Sequence, residues 1–577
     1  MLEIGYKKIN NTDLFKTLET NDINSPQNYI PLYKNFFNLS IQNYNKINLN
    51  QEFHIETVDA EIQKNKYMCK LNNGNRAIKK LSFFKFSPLL DPVKFMCGKY
   101  QKMKLENFKS LPKLENNDCN KKLLNINNTA YVDSFFSYLS SKVLYKHKVL
   151  HCIDFYGSFL AIKGNFSINI FDDLEYLTES SYFAENCNKL FKLENIDDLI
   201  CSNSTRNNLK KINISNNNNI ILNLDEISCL DFDDVFDRCI KTSNISDIST
   251  NCIYEYKHNP ENAKKLSVKS SKSSECSSNS SHTSHENSES GSESGSESGS
   301  ESGSELSYDE EDDENVEAII YDFPVQIIAL EDLDNTLDSC LNKDMELNDR
   351  EWSSCLFQII ITLIIYQDMF DFTHNDLHTN NIMFKKTDKQ YLYYKYDNTH
   401  YKVPTYGKIW KLIDFGRSIY KFKGKRMCSD SFHKNGDAAT QYNCEPFLNQ
   451  NKPRLEPNKS FDLCRLACSL FDYFIDDLKE QKKTMDPIAK LVVKWCTDDK
   501  NRNILYKTNG DERYPDFKLY KMIARTVHNH IPHTEIKNVL FNKFITSKKK
   551  INKKTNILNV DKLPSYINTP VKNQESQ

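Results

Sequence analysis

Glycine is scarce in this chain, 14 in 577 residues, and none falls in the GxGxxG spacing that lets a backbone turn wrap closely around phosphates. The nearest glycine before the strand-like segment around Lys85 stands alone in Asn72-Asn-Gly-Asn75, so a glycine-built phosphate lid is missing or altered. Neither sign of charge is in excess. With 76 Lys and Arg against 78 Asp and Glu, the formal net charge of −2 predicts no attraction to nucleic acid or to a membrane surface. The 17 cysteines include no CxxC pair, which favours reduced thiols in a cytosolic setting over disulfides or zinc ligands. Cys464 and Cys468 share a helix face and read as small core residues. The N-terminal MLEIGYKKINN lacks the apolar core of a signal peptide. The longest apolar run, Cys355 to Tyr366, is too short for a bilayer span and is interrupted by Gln358 and Thr362. A soluble, cytoplasmic chain is expected.

At 577 residues the chain exceeds one compact core, so two lobes plus additional segments are expected. Hydrophobic residues make up 39% and mean hydropathy is −0.64, yet 30 Tyr and 34 Phe supply core material. The low average fits a folded part diluted by a polar insertion over 202–317. That stretch is Asn-rich at Asn216 to Asn219, then Ser-rich, and ends in SESGSESGSESGSE before Asp309-Glu-Glu-Asp-Asp-Glu314. Low hydrophobicity and high charge do not offset chain entropy, so its Ser-rich and acidic part is expected to be disordered.

Two short segments carry chemistry. One is His374-Asn-Asp-Leu-His-Thr-Asn-Asn381, the other Ile413-Asp-Phe-Gly416. A carboxylate at Asp376 can orient an acceptor hydroxyl and take its proton. An amide oxygen five residues on, at Asn381, can bind a metal, and Asp414 can bridge metal ions to phosphates. Each string is short, but the pair in this order, each behind an apolar stretch, is a strong signal. The run Trp352 to Tyr366 reads as a helix buried on most sides. Ile382-Met-Phe384, Tyr391 to Tyr394 and Lys408 to Ile413 read as strands, the last delivering Asp414.

Upstream, Ser82-Phe-Phe-Lys-Phe86 has the apolar density of a strand with Lys85 at its centre, and Lys79 in RAIK is the alternative lysine. Thr129 to Leu144 reads as an amphipathic helix, and Asp154 to Ile162 as a strand. A further strand begins at Phe323 and runs into Glu331-Asp332-Leu333. Ser460 to Phe471 reads as a helix with Ser460 as N-cap.

In these segments the chain resembles the protein-kinase superfamily, and more closely the divergent serine/threonine-protein kinases of large DNA viruses. FFKFSPLLDP, FYGSFLAIK, FTHNDLHTNNIMF, KLIDFGRSIY, GDAATQYNCEPF and SFDLCRLACSLFDYF carry the likeness. The resemblance implies an α+β, bilobal protein-kinase-like fold: a small antiparallel-sheet N-lobe, a mostly helical C-lobe and a long disordered insertion. The implied boundaries are an N-terminal extension at 1–50, the first part of the N-lobe at 51–201, the insertion at 202–317, the last N-lobe strand and hinge at 318–338, the C-lobe at 339–545 and a Lys-rich tail at 546–577. It implies ATP with its adenine near Glu331, Asp332 and Leu333 and its phosphates near Lys85. Mg²⁺ would lie between Asn381 and Asp414, with Asp376 catalytic. The implied partner is a protein substrate, the chain's own Ser-rich tract being one, with no nucleic acid and no membrane. The implied place is the host cytoplasm or a virion.

Several positions depart from the pattern. Asp133 is the only acid in the helix at 129–144, and its position fits poorly for the usual glutamate that pairs with the lysine. Asn375 replaces the usual arginine, so the loop lacks the cation that receives an activation-segment phosphate. His378 stands where serine/threonine kinases have lysine, as in choline- and aminoglycoside-kinase-like enzymes. His374 reads as structural, and Asp462 as a brace for the catalytic loop. The expected activity is ATP- and Mg²⁺-dependent phosphoryl transfer to Ser or Thr, the alternatives being a pseudokinase scaffold or a small-molecule kinase.

Overall fold

The structure is a computed structural model that describes residues 2–101, 105–115, 118–194, 316–478 and 485–568. The expected disorder within 202–317 falls almost wholly outside these residues.

Apolar, strand-forming stretches before residue 349 pair antiparallel throughout one seven-stranded sheet, its two central strands buried along most of their length. Its members are β1 (Ile23–Gln27), β2 (His54–Gln63), β3 (Lys66–Asn72), β4 (Ala77–Pro88), β5 (Phe155–Asn169), β6 (Phe191–Glu194) and β7 (Glu317–Glu331). The spatial order is β1-β5-β7-β4-β3-β2, with β6 also on β7. The sheet is larger than the small one expected, because β1 from the supposed extension joins its edge. The aromatic patch after β1 packs inward, Phe36 stacking on Phe135 at 4.7 Å. The register Glu194↔Glu317 sets these two residues side by side on adjacent strands.

Helix α1 (Thr129–His147) packs against this sheet. Its N-cap Asn128 accepts the Ala130 N–H, and Lys148 ends it in the left-handed region at φ 59°. Phe136 of α1 meets Tyr366, Phe370, Phe372, Phe415 and Tyr420, forming an aromatic hub between α1 and the loops below.

Helix α2 (Asp349–Phe370) opens with a full capping box between Asn348 and Glu351. It has the length and apolarity of a membrane span, yet 94% of its apolar window is buried within the protein. Its polar Gln358 is satisfied internally, accepting the Trp410 N–H at 3.0 Å. Strands β8 (Ile382–Lys386) and β9 (Lys408–Leu412) pair antiparallel after it, as the sequence predicts. Helices α3 (Phe461–Phe474), α4 (Pro487–Trp495) and α5 (Lys518–Thr526) complete the second half. Ser460 precedes α3 but does not cap it: its own hydroxyl is buried without a hydrogen bond, while its N–H goes to Asn458 Oδ1. Contacts join all described residues into one unit, mixed α and β with several sheets.

Candidate active site

The catalytic-type loop begins where α2 ends at Asp371, which takes the left-handed conformation at φ 51°. Thr373 and Ile419 exchange both main-chain hydrogen bonds, at 2.9 and 3.0 Å, closing the two loops onto each other. Asp462, in the first turn of α3, accepts the N–H groups of His374 and Asn375, both at 2.9 Å. It is thus a brace under the loop, and burial pushes its carboxyl upward. His374 Nε2 donates to the Ile413 carbonyl at 2.8 Å, a structural tie to the metal-type loop. Asn375 sits at φ 64°, a conformation Asn tolerates better than most residues. Its amide donates to the carbonyl of Arg417 at 3.0 Å and its oxygen accepts from the Tyr442 hydroxyl at 2.8 Å. The residue in place of the usual arginine is therefore a buried clamp.

Lys85 lies in β4 opposite Ile328 of β7. Its Nζ is 2.7 Å from Asp133 Oδ2 and 2.7 Å from Asp414 Oδ1. This corrects the expectation that Asp133 is badly placed. The start of α1 is tied to the segment after the metal-type loop, Thr129 N–H and Oγ1 both reaching Asp430 Oδ1, so Asp133, just past the first turn, already faces the site. The short side chain suffices there, and Asp133 Oδ1 also accepts the Phe415 N–H at 3.0 Å. Burial alone would lower Lys85, but the two carboxylates hold it above the ordinary lysine value. Burial raises the Asp133 carboxyl. For Asp414 burial works upward too, but Lys85 pulls it below the usual range. Lys79, the alternative lysine, pairs with Asp59 at the surface, its side chain 69% exposed.

Asp376 is buried at 4% exposure. Burial would raise its carboxyl, but Arg417, His378 and Arg465 overrule it, and the group is held far down in the ionised form. Asn381 donates through Nδ2 to the Asp376 carbonyl at 2.9 Å and to His378 Nε2 at 3.1 Å. That second bond needs a neutral imidazole, and burial pushes His378 down to about 4. Asn381 Oδ1 is buried with no hydrogen-bond partner, a free hard oxygen beside the loops. Asp414 commits Oδ1 to Lys85 and the Gly416 N–H, while its Oδ2 makes no such contact among the described residues. Two free oxygens on Asn381 and Asp414 suit a hard cation such as Mg²⁺ that keeps waters and phosphate oxygens in its shell. Among the described residues no group of three or more His, Cys, Asp or Glu forms a dedicated metal cage.

At the other end, Glu331 closes β7. Its N–H goes to the Asp154 carbonyl at 3.0 Å, and its carboxylate takes the Asp154 N–H and the Lys411 ammonium. The Asp332 carbonyl accepts from Lys385 at 2.7 Å, and its carboxylate pairs with Lys66 at 3.0 Å. Glu331 and Asp332 are thus largely committed to the protein. Leu333 makes no hydrogen bond through its main chain among the described residues. The phosphate-lid position also needs correction. The register places Asn72-Asn-Gly-Asn75 in the β3–β4 turn, with Asn72 opposite Ala77, eight residues before Lys85. The turn facing Lys85 is Lys64-Asn65, between β2 and β3, with Asn65 at φ 63° and no glycine.

Four residues at the site went unread in the sequence. Tyr520 of α5 donates to Asp376 Oδ1 at 2.8 Å, and its hydroxyl accepts from Arg465 Nε at 2.9 Å. Arg417 places Nη1 3.7 Å from Asp376 Oδ2 and Nη2 2.7 Å from Asp437 Oδ2. Arg417 follows IDFG directly and Arg465 stands one turn after Asp462, so both were open to notice; Asp437 and Tyr520 carry no motif signal of their own.

No profile of a known protein family matches the chain. A protein of Acanthamoeba polyphaga mimivirus, provisionally named a serine/threonine-protein kinase, is 28% identical over 200 residues, 31% of this chain and 45% of that protein. The chain is a distant relative of named kinases. A second kinase relative, from Dictyostelium discoideum and again provisionally named, is 35% identical over 92 residues, 15% of this chain and 8% of that protein. The match thus spans less than half the length of either kinase relative.

Proposed function

We propose that this chain is an ATP- and Mg²⁺-dependent protein kinase, bilobal in build, that moves a γ-phosphoryl group to a Ser or Thr hydroxyl. The observation that carries the reading is Lys85 held between Asp133 and Asp414 beside the free oxygen of Asn381. A lysine ammonium has three N–H donors. Two are engaged by the carboxylates, which leaves one for a phosphate oxygen. Mg²⁺, when bound by Asn381 and Asp414, supplies charge neutralisation for the transferring phosphoryl group. Asp376, held ionised, orients the acceptor hydroxyl and receives its proton. So depressed a carboxyl is a weak base, which suits a loose transition state in which positioning outweighs proton abstraction. Leu333 offers the main-chain groups for adenine. The acceptor is a protein, the Ser-rich tract of the same chain included, and the likeness to one mimivirus protein supports a viral origin with a place in host cytoplasm or virion.

A pseudokinase scaffold is the competing reading, favoured by the glycine-free turn at Lys64-Asn65 and by the covering of Asp376 by Tyr520 and Arg417. Purified protein assayed by thermal shift with ATP and Mg²⁺, then by radiolabelled transfer, separates them. Asp414→Ala is expected to abolish the Mg²⁺-dependent shift and the transfer. Binding by the native chain without transfer to any acceptor would leave the scaffold standing.

A further inference from the structure

Arg417 and Arg465 are 4% and 8% exposed. A buried guanidinium normally has all its donors satisfied, since each orphan costs a desolvation penalty. Here Arg417 Nη1 has no hydrogen bond and lies 3.7 Å from Asp376 Oδ2. Arg465 gives Nε to Tyr520, lies over that ring at 5.2 Å, and has no carboxylate within 4 Å among the described residues. The rings of Phe517 and Tyr520 flank Arg417 at 5.9 and 5.7 Å. Against these two cations stand Asp376 and Asp437, and the Asp437 side chain is 57% exposed at the surface end of Arg417. Asp437 sits in a turn after Asp430–Phe432, between the Gly436 N–H to His433 and the Ala438 N–H to Ser431 bonds. It is the one reachable member of the group.

We propose that Arg417 reads an acidic side chain on the acceptor polypeptide, and that Asp437 holds this subsite until the acceptor arrives. The inference rests on the kinase reading for its role in catalysis, but not for its binding chemistry. One guanidinium links the catalytic carboxylate to the subsite, so the acid must lie within about three residues of the acceptor hydroxyl, at roughly 3.3 Å per residue of extended chain. The chain carries such a sequence itself: from Ser288 to Glu305 every serine neighbours a glutamate.

The test uses the full chain and fluorescein-labelled peptides, SESGSESGSE and its Glu→Gln counterpart. Anisotropy is expected to show the acidic peptide bound at least ten-fold more tightly. Asp437→Asn is expected to tighten the acidic peptide several-fold and leave the neutral one unchanged, and Arg417→Gln to erase the preference. A second background, with Glu289, Glu293, Glu297, Glu301 and Glu305 all changed to Gln, removes the acids of the chain's own serine repeat and is expected to tighten the acidic peptide further. Equal binding of the two peptides, or weaker acidic binding in Asp437→Asn, overturns the subsite. Radiolabelled transfer to both peptides is read in parallel. Transfer without acidic preference refutes the subsite alone, whereas acidic binding without transfer to these peptides or to any other acceptor refutes the kinase reading alone.

Discussion

Replacing Asp133 by Asn tests the pair that organises the site. The substitution keeps shape and volume, so α1 and its aromatic contacts stay in place. In the native chain one oxygen takes the Lys85 ammonium at 2.7 Å and the other the Phe415 N–H at 3.0 Å. Asn has one acceptor. If that oxygen keeps Phe415, the amide N–H₂ faces the ammonium; if it keeps Lys85, the N–H₂ faces the Phe415 N–H. Either way one donor is set against another in a buried place. A charge-assisted hydrogen bond is worth about 1.5–3 kcal/mol, and Lys85 retains Asp414, so the loss of transition-state stabilisation is about 2–3 kcal/mol. That corresponds to roughly a 30- to 150-fold fall in kcat/KM. Initial rates of phosphate transfer over a range of ATP concentrations read it directly, with the Mg²⁺·ATP thermal shift as a second measure. A variant within three-fold of the native rate would show that Asp133 only fills space and that Lys85 is organised by Asp414 alone.

Phe136→Ala removes the ring shared by five aromatic neighbours and is expected to cost about 3–5 kcal/mol, read as a lower urea midpoint. His378 predicts an acid weakness: its value falls from 6.5 to about 4 in the native chain, so the unfolded chain binds a proton that the folded one refuses between those values. This share of stability is complete above about pH 6.5 and shrinks as pH falls, by about 2 kcal/mol at pH 5; urea midpoints at pH 5 and 7.5 should converge by that amount in His378→Gln.

Much of the second half was legible because its signals are local. The buried helix at Trp352–Tyr366, the strands at 382–384 and 408–413, and the brace at Asp462 follow from periodicity and from motif spacing along one stretch of chain. Asp133 was misjudged because spacing within a helix does not tell how near that helix comes to another loop; the Thr129–Asp430 anchor decides it, and its partners are 301 residues apart. The lid was assigned one turn too late for a related reason: without glycines only strand register tells which turn faces Lys85. Ser460 looked like a cap by residue type, yet its φ and ψ of −85° and −13° are already helical, which turns its hydroxyl away from the α3 N–H groups. Tyr520 reaches Asp376 from a helix whose own pattern reports only amphipathicity.

Phe415, 1% exposed, is nested among Phe136, Tyr366, Phe372 and His374 while its N–H is fastened to Asp133. An aromatic side chain buries about 150–250 Å², worth roughly 4 kcal/mol or more at ~25 cal/mol per Å². An inhibitor whose pose requires that ring to swing out starts with a handicap of about a thousand-fold in affinity. Compounds that leave the phenylalanine seated are the better chemical starting point for this chain.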